Sequence, residues 1–168
     1  FIHDAQMDMV QVLAKARNSR EFLERIPEAL NVLKCYARRL LEGRVPVSEL
    51  LIAKRLSKHP SSYTHSVLNS IAAKQLMREG VEISAGQTIQ YLITQYRSKS
   101  AFSRVQPAQL LSKSIRYDSQ KYLDLLFSSA ETILSPFGCL KKRRHSFVFQ
   151  KEDWKLGSSS SVKIDCFQ

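Results

Sequence analysis

Apolar residues recur with a helical period over the first part of the chain, shift to a two-residue alternation near its middle, and then return to the helical period. Over residues 4–17, Met7, Val10, Leu13 and Ala14 fall three and four positions apart, which places them on one face of an α-helix. Asn18 and Ser19 interrupt that run, and Ser19 is suited to cap the next helix. There Phe22, Leu23, Ile26, Leu30, Leu33, Ala37 and Leu40 form a stripe opposite Glu24, Glu28, Lys34, Arg38 and Arg39. Pro27 lies inside the pattern and removes one backbone donor, which predicts a kink or a restart. Gly43 marks the stop.

Residues 44–47 read as an extended linker. The apolar run at 50–52 fits a short strand or a buried helical turn equally well. Residues 57–62 are polar, basic and broken by Pro60, hence a loop. Ser61 or Ser62 can cap a third helix over 63–78, with Val67, Leu68, Ile71, Ala72 and Leu76 inward and Gly80 in the C′ position. Val81 and Ile83 then alternate, residues 84–86 turn, and residues 88–94 are β-rich, which predicts a small hairpin or sheet. Residues 95–114 are weakly periodic, with a short helical piece at 107–111. A last helix over 119–134 carries Tyr122, Leu125, Leu126, Ala130 and Ile133 on one face. The expectation is a mostly α fold with a small β hairpin or sheet lobe at about 81–116, an α+β domain spanning 1–138. A basic extension and tail, 139–168, follows, with a basic run at 141–145 and a flexible Gly/Ser stretch at 157–161.

Charge changes the picture. In 168 residues, 26 Lys and Arg face 15 Asp and Glu, giving +11 at pH 7. With a pI near 9.8 the folded domain attracts polyanions, of which nucleic acid is the commonest inside cells. A membrane surface would ask for a basic amphipathic helix with bulky anchors, and none stands out. No apolar run approaches the ~18 residues of a membrane span. The opening FIHDAQMDMV lacks the zones of a secretion signal and an initiator Met, so the chain is expected to begin inside a longer product. Cys35, Cys139 and Cys166 form no CxxC pair, which favours a reducing compartment and offers no structural zinc site.

The residues supply no active-site constellation: no glycine-rich phosphate loop, no HExxH, no GxSxG. His3, His59, His65 and His145 are scattered, and Asp4 with Asp8 and Asp118 with Asp124 read as helix-surface pairs rather than a two-metal site. A self-contained catalytic site and a bound cofactor are therefore not expected in this chain.

Three segments carry a resemblance. The first is LLIAKRLSKHPSSY, residues 50–63: aliphatic residues, a basic pair, Leu56-Ser57-Lys58, then Tyr63. The second is GVEISAGQTIQYLI, residues 80–93, with the form Gly-Val-x-Ile-x-x-Gly-x-x-Ile-x-Tyr. The third is YDSQKY, residues 117–122, a Tyr-Asp-x-x-x-Tyr that opens the last helix. In this order and spacing they resemble the thumb of family B DNA polymerases, the archaeal and eukaryotic replicative type. Where that family usually shows Pro-His before the core of the third helix, this chain has Leu68-Asn69. The palm elements, Tyr-x-Asp-Thr-Asp and Lys-x-Tyr, do not occur in it. The resemblance implies either a thumb segment of a longer polymerase or the small subunit of a split one.

A thumb grips duplex of any sequence, a task suited to phosphate contacts. By resemblance and chemistry the DNA-binding candidates are Lys54, Arg55, Ser57, Lys58, His59 and Tyr63, with Gln87, Thr88 and Arg116 secondary. Tyr91, Tyr117 and Tyr122 read as packing residues. At the tail, Ile164 and Phe167 have the spacing of a degenerate sliding-clamp peptide after a serine linker. The implied partners are primer–template duplex, a palm-containing segment or large subunit, and the clamp. Divalent metal, magnesium by chemistry, belongs to the palm. The location implied is the nucleoid in an archaeon or the nucleus in a eukaryote. Two other readings stay open: a small scaffold subunit that docks the large chain and the clamp, and an independent helical DNA-binding regulator.

Overall fold

A computed structural model describes residues 1–112 and 114–135. The basic run at 141–145, the tail with Ile164 and Phe167, and Cys139 and Cys166 lie outside the described residues. Four α-helices and a three-stranded antiparallel sheet follow in the order α1 (Ile2–Ala14), α2 (Ser19–Leu41), β1 (Ile52–Arg55), α3 (Leu68–Arg78), β2 (Thr88–Ile93), β3 (Val105–Pro107) and α4 (Ser119–Leu134), with short 3₁₀ turns between them. The fold is thus α+β, as the hydrophobic pattern predicts. The described residues divide into two compact units: residues 2–38 with 124–135, and Phe1 with Arg39–Leu123.

In the helical unit, α1 buries Ala5, Met9 and Leu13, and α2 buries Ile26, Ala29, Leu33 and Ala37. The part of α4 that belongs here buries Leu126, Phe127, Ala130 and Leu134. Met7 and Val10, expected inward, are instead 44% and 42% exposed, as is Leu23 at 56%. Ala5, Met9 and Leu13 also repeat every four residues, so α1 had two apolar stripes to choose between, and packing chose the other one. The Tyr36 hydroxyl donates to Asp8 Oδ2 at 2.6 Å and Gln6 Nε2 to the Ser129 carbonyl at 3.3 Å, polar ties among the three helices.

Asn18, not Ser19, caps α2. Its Oδ1 accepts from the Glu21 N–H at 2.9 Å, and the Glu21 carboxylate reaches back to the Arg17 N–H at 2.9 Å. This is a reciprocal arrangement of the capping-box kind. Pro27 does not break α2, which runs unbroken through it. Leu23, whose carbonyl loses its partner there, is exposed enough for water to replace it. Gly43 closes the helix at φ +69°, with Arg44 N donating to Arg39 O and Gly43 N to Leu40 O. That is the Schellman pattern.

Of the hairpin or sheet expected at about 81–116, the structure has the sheet, with one strand, β1, contributed from upstream. β2 lies between β1 and β3, with Arg55 opposite Thr88, Ile52 opposite Tyr91, and Ile93 opposite Val105. Val81 and Ile83 form no strand; the apolar run near 50–52 divides into a 3₁₀ turn (Val47–Leu50) and β1. The piece expected to be helical at 107–111 starts as the end of β3 and continues as a 3₁₀ turn. α3 starts at Leu68, five residues later than predicted, with Val67 in the capping position and 42% exposed. The reason is that Ser61 and Tyr63 are engaged in the preceding loop. α3 packs on the sheet through Ile71, Ala72 and Leu76, and its Gln75 Nε2 donates to the carbonyls of Phe102 (2.7 Å) and Val105 (3.0 Å).

Tyr122 ties this unit together. Its hydroxyl accepts from the Ile93 N–H at 3.1 Å and donates to the Leu50 carbonyl at 2.7 Å, joining the end of β2 to the turn before β1. Burial pushes the phenol well above its ordinary range. Tyr117 meets it edge-on, centroids 6.0 Å apart, and donates to the Leu40 carbonyl at 3.0 Å. With Tyr91 4% exposed and Tyr122 1%, these aromatics serve packing.

Candidate nucleic-acid interface

The candidate residues gather where β1 ends and β2 begins. Backbone bonds from Leu56 N to Gln87 O and from Gly86 N to Leu56 O, each 2.8 Å, lengthen the ladder past Arg55. The turn before β2 is held by the Ser84 N–H on Gln87 Oε1 at 2.8 Å. Gly86 sits at φ +87°, and Arg55 Nε donates to its carbonyl at 2.9 Å. A Cβ there would lie 3.4 Å from Arg55 Nη2, so glycine serves both the turn and the approach of the guanidinium.

Tyr63 organises the loop that follows. Its hydroxyl oxygen accepts the N–H groups of Ser57 (2.9 Å) and Lys58 (3.3 Å) and lies 3.1 Å from Ser57 Oγ. Between the two hydroxyls of the neutral pair either can be the donor. In the ionised form the serine turns to donate. This serine bond, helped by the two amides, draws the phenol below its ordinary range. His59 Nδ1 accepts from Ser61, 2.6 Å from Oγ and 3.4 Å from N, which leaves Nε2 as the free donor. Ordering Ser57 and Lys58 this way removes entropy that binding would otherwise cost.

The structure therefore brings Arg55, Ser57, Lys58, His59, Tyr63, Gln87 and Thr88 to one end of the sheet. Lys54 is one residue further in. The pleat sends it to the face of Ile89, and Arg55 to the face of Thr88 and Gln90. Lys54, Arg55 and Lys58 are exposed, and among the described residues none has a carboxylate at ion-pair distance. Arg116 is not part of this cluster. It lines an open cleft of about 500 Å³ with Leu40, Gly43, Val45 and Tyr117.

Sequence reasoning missed Asn69, the residue standing in the family's Pro-His pair. It is buried, its Nδ2 donates to the Arg55 carbonyl at 3.4 Å and its Oδ1 accepts from Ser70 N at 3.1 Å. A polar residue at the first turn of an otherwise apolar helix face was the available signal. Among the described residues no group of three His, Cys, Asp or Glu is placed to hold a metal ion. No helix among them is long and apolar enough to cross a membrane.

A sheet end at which, among the described residues, Lys54, Arg55 and Lys58 meet no carboxylate is a surface suited to a polyanion. The chain belongs to DNA polymerase family B, whose model matches residues 1–137. It is similar to the "DNA polymerase" of Thermococcus aggregans, 23% identical over 143 residues, which is 84% of this chain and 7% of that protein. It is also similar to "DNA polymerase 2" of Aeropyrum pernix, 29% identical over 119 residues, 70% of this chain and 15% of that protein. Among solved structures, the family B DNA polymerase of the hyperthermophilic archaeon Pyrobaculum calidifontis superposes with a TM-score of 0.68 at 22% identity, covering 84% of this chain and 18% of that one. At that identity the likeness speaks for the fold. The chain thus spans 7–15% of the length of these curated relatives.

Proposed function

We propose that residues 1–138 are the thumb of a family B DNA-directed DNA polymerase, holding primer–template duplex by its sugar–phosphate rails while another segment performs the bond-making. The observation that carries this reading is the rim at the end of the sheet: Lys54 and Arg55 on β1 and Lys58 on the loop pinned by Tyr63, all exposed and, among the described residues, without a carboxylate at ion-pair distance. Cations placed this way position a duplex without reading its bases, which lets it advance after each addition. The metal-binding carboxylates belong to the palm, on a segment outside this chain or on a large subunit. The clamp contact through Ile164 and Phe167 is part of the same proposal.

Neutralising about five phosphates gives a log–log salt slope near −4.5. The test is titration of the 168-residue chain with duplexes of unrelated sequence at several salt concentrations, then primer extension by the chain alone and with a palm-containing partner. The reading expects equal, salt-sensitive affinities and synthesis only with the partner. A preferred sequence would favour a regulator, and duplex-indifferent binding to a protein partner a scaffold.

A further inference from the structure

The other end of β2 carries a second cationic feature. After Ile93 the chain leaves the sheet in a short loop, residues 95–100, fixed from five sides. Thr94 N donates to Arg104 O (3.0 Å) and Thr94 Oγ1 to Ser103 O (2.7 Å). Ser98 N closes a turn on Gln95 O (2.9 Å), Arg104 Nε donates to Ser98 O (2.8 Å), and Tyr96 N donates to Asp118 Oδ2 (2.8 Å). Arg104 is thus spent inside the loop, and what the loop turns outward is Tyr96, Arg97 and Lys99, all exposed. Lys121 Nζ stands 4.0 Å from the Tyr96 ring centroid.

Among the described residues Arg97, Lys99 and Lys121 have no carboxylate at ion-pair distance. Asp118, close by, is committed: its Oδ1 caps α4 through the Lys121 N–H at 2.9 Å and its Oδ2 holds Tyr96 N. Arg97 and Lys99 on the ordered loop, with Lys121 of α4 beside Tyr96, thus offer three cations to an arriving anion.

Distance supplies the second argument. β2 has six residues, and at ~3.3 Å per residue its ends lie roughly 17–20 Å apart. A duplex repeats every ~34 Å, so along one side the second strand's backbone comes into reach about half a turn, ~17 Å, beyond the first. We infer that residues 95–100, with Lys121, form a second phosphate contact for the same duplex, meeting one strand while the rim at residues 54–63 meets the other. This rests on the thumb reading above and adds a site to it. The sheet becomes a strut whose length sets how far apart the two strands are held.

The test uses the whole chain, a 30-base-pair duplex and fluorescence anisotropy from low to moderate salt, with three variants: Arg97→Ala/Lys99→Ala, Lys54→Ala/Lys58→Ala, and all four together. The exposed side chains are expected to leave the thermal midpoint unchanged. Each pair should lower the magnitude of the salt slope by about 1.8, and the four together by about 3.6. If Arg97→Ala/Lys99→Ala keeps the wild-type slope while Lys54→Ala/Lys58→Ala loses it, the second contact is overturned and the thumb reading stands. The reverse pattern supports the second contact and removes the rim from the thumb reading. Absence of duplex binding by the wild type overturns both. An effect of Arg97→Ala/Lys99→Ala on single strands only also overturns the second contact, since the loop would then serve unpaired nucleic acid.

Discussion

The two units are held by different means. The helical unit rests on apolar stripes, with Met9, Leu13, Leu33 and Leu126 nearly or wholly buried. The sheet unit has its own apolar core but is fastened by single polar side chains reaching far along the sequence: Tyr122 to Leu50 and Ile93, Asn69 to Arg55, Gln75 to Phe102 and Val105. All the exposed cations argued above to meet phosphate sit on the second unit. The difference teaches that a surface whose charges must stay put is built on directional bonds, because apolar contact alone fixes neither the rotation nor the exposure of a strand end.

The largest effect should separate the units. Leu33→Ala leaves a cavity in the helical stripe and is expected to cost about 3 kcal/mol, read by denaturant unfolding, with amide protection lost first in α2. A similar loss of protection in β2 would break the contrast.

Tyr122→Phe comes next. Removing one oxygen orphans a buried N–H at Ile93 and a buried carbonyl at Leu50, an expected cost of about 2 kcal/mol with faster exchange at Ile93. The substitution also has a pH signature. A phenol whose folded pKa is raised contributes stability that is fully present below its ordinary value near 10 and is lost as pH climbs beyond it. Tyr91 and Tyr117, raised by burial too, share that alkaline limb. Stability of the wild type should therefore fall above pH 10, and Tyr122→Phe should flatten part of the fall. An unchanged limb would mean that Tyr122 is not the tie.

The smallest effect in stability belongs to Tyr63→Phe, because the loop it pins is exposed. Duplex affinity should drop two- to five-fold as Ser57 and Lys58 lose their anchor. Tyr63 is drawn down, so its ionised form adds stability only on the alkaline side and that contribution is lost as pH falls. As pH rises it should ionise before Tyr91, Tyr117 and Tyr122, and place a negative charge on the rim. Wild-type duplex affinity should weaken accordingly, and Tyr63→Phe should be less sensitive. Equal sensitivity in both would remove the phenol from the rim.

Much of this was legible beforehand. The stop glycines Gly43 and Gly80, the bounds of α4, and the basic run ending at Tyr63 stand where composition and motif place them. α4 matched because its polar start at Asp118 and its apolar period agree. The start of α3 did not, because Ser61 and Tyr63 have the right chemistry for a cap and spend it on the loop instead. The small sheet expected at about 81–116 formed, though Val81 and Ile83 take no part in it. Alternation identifies a strand but not its partner, and β2 pairs with residues 33 to 39 positions upstream, Thr88 with Arg55 and Tyr91 with Ile52.

The sequence by itself determined the α+β class, the helix stops and a strongly cationic chain, since period, glycine and charge are local properties. Tertiary structure alone decided which stripe of α1 is buried, that Pro27 is tolerated, and that Lys54 and Arg55 face opposite ways. It also decided that Asp118 is committed while, among the described residues, Arg97, Lys99 and Lys121 have no carboxylate at ion-pair distance. These depend on what distant segments bring within a few ångströms, and distance in space is not written in any local pattern.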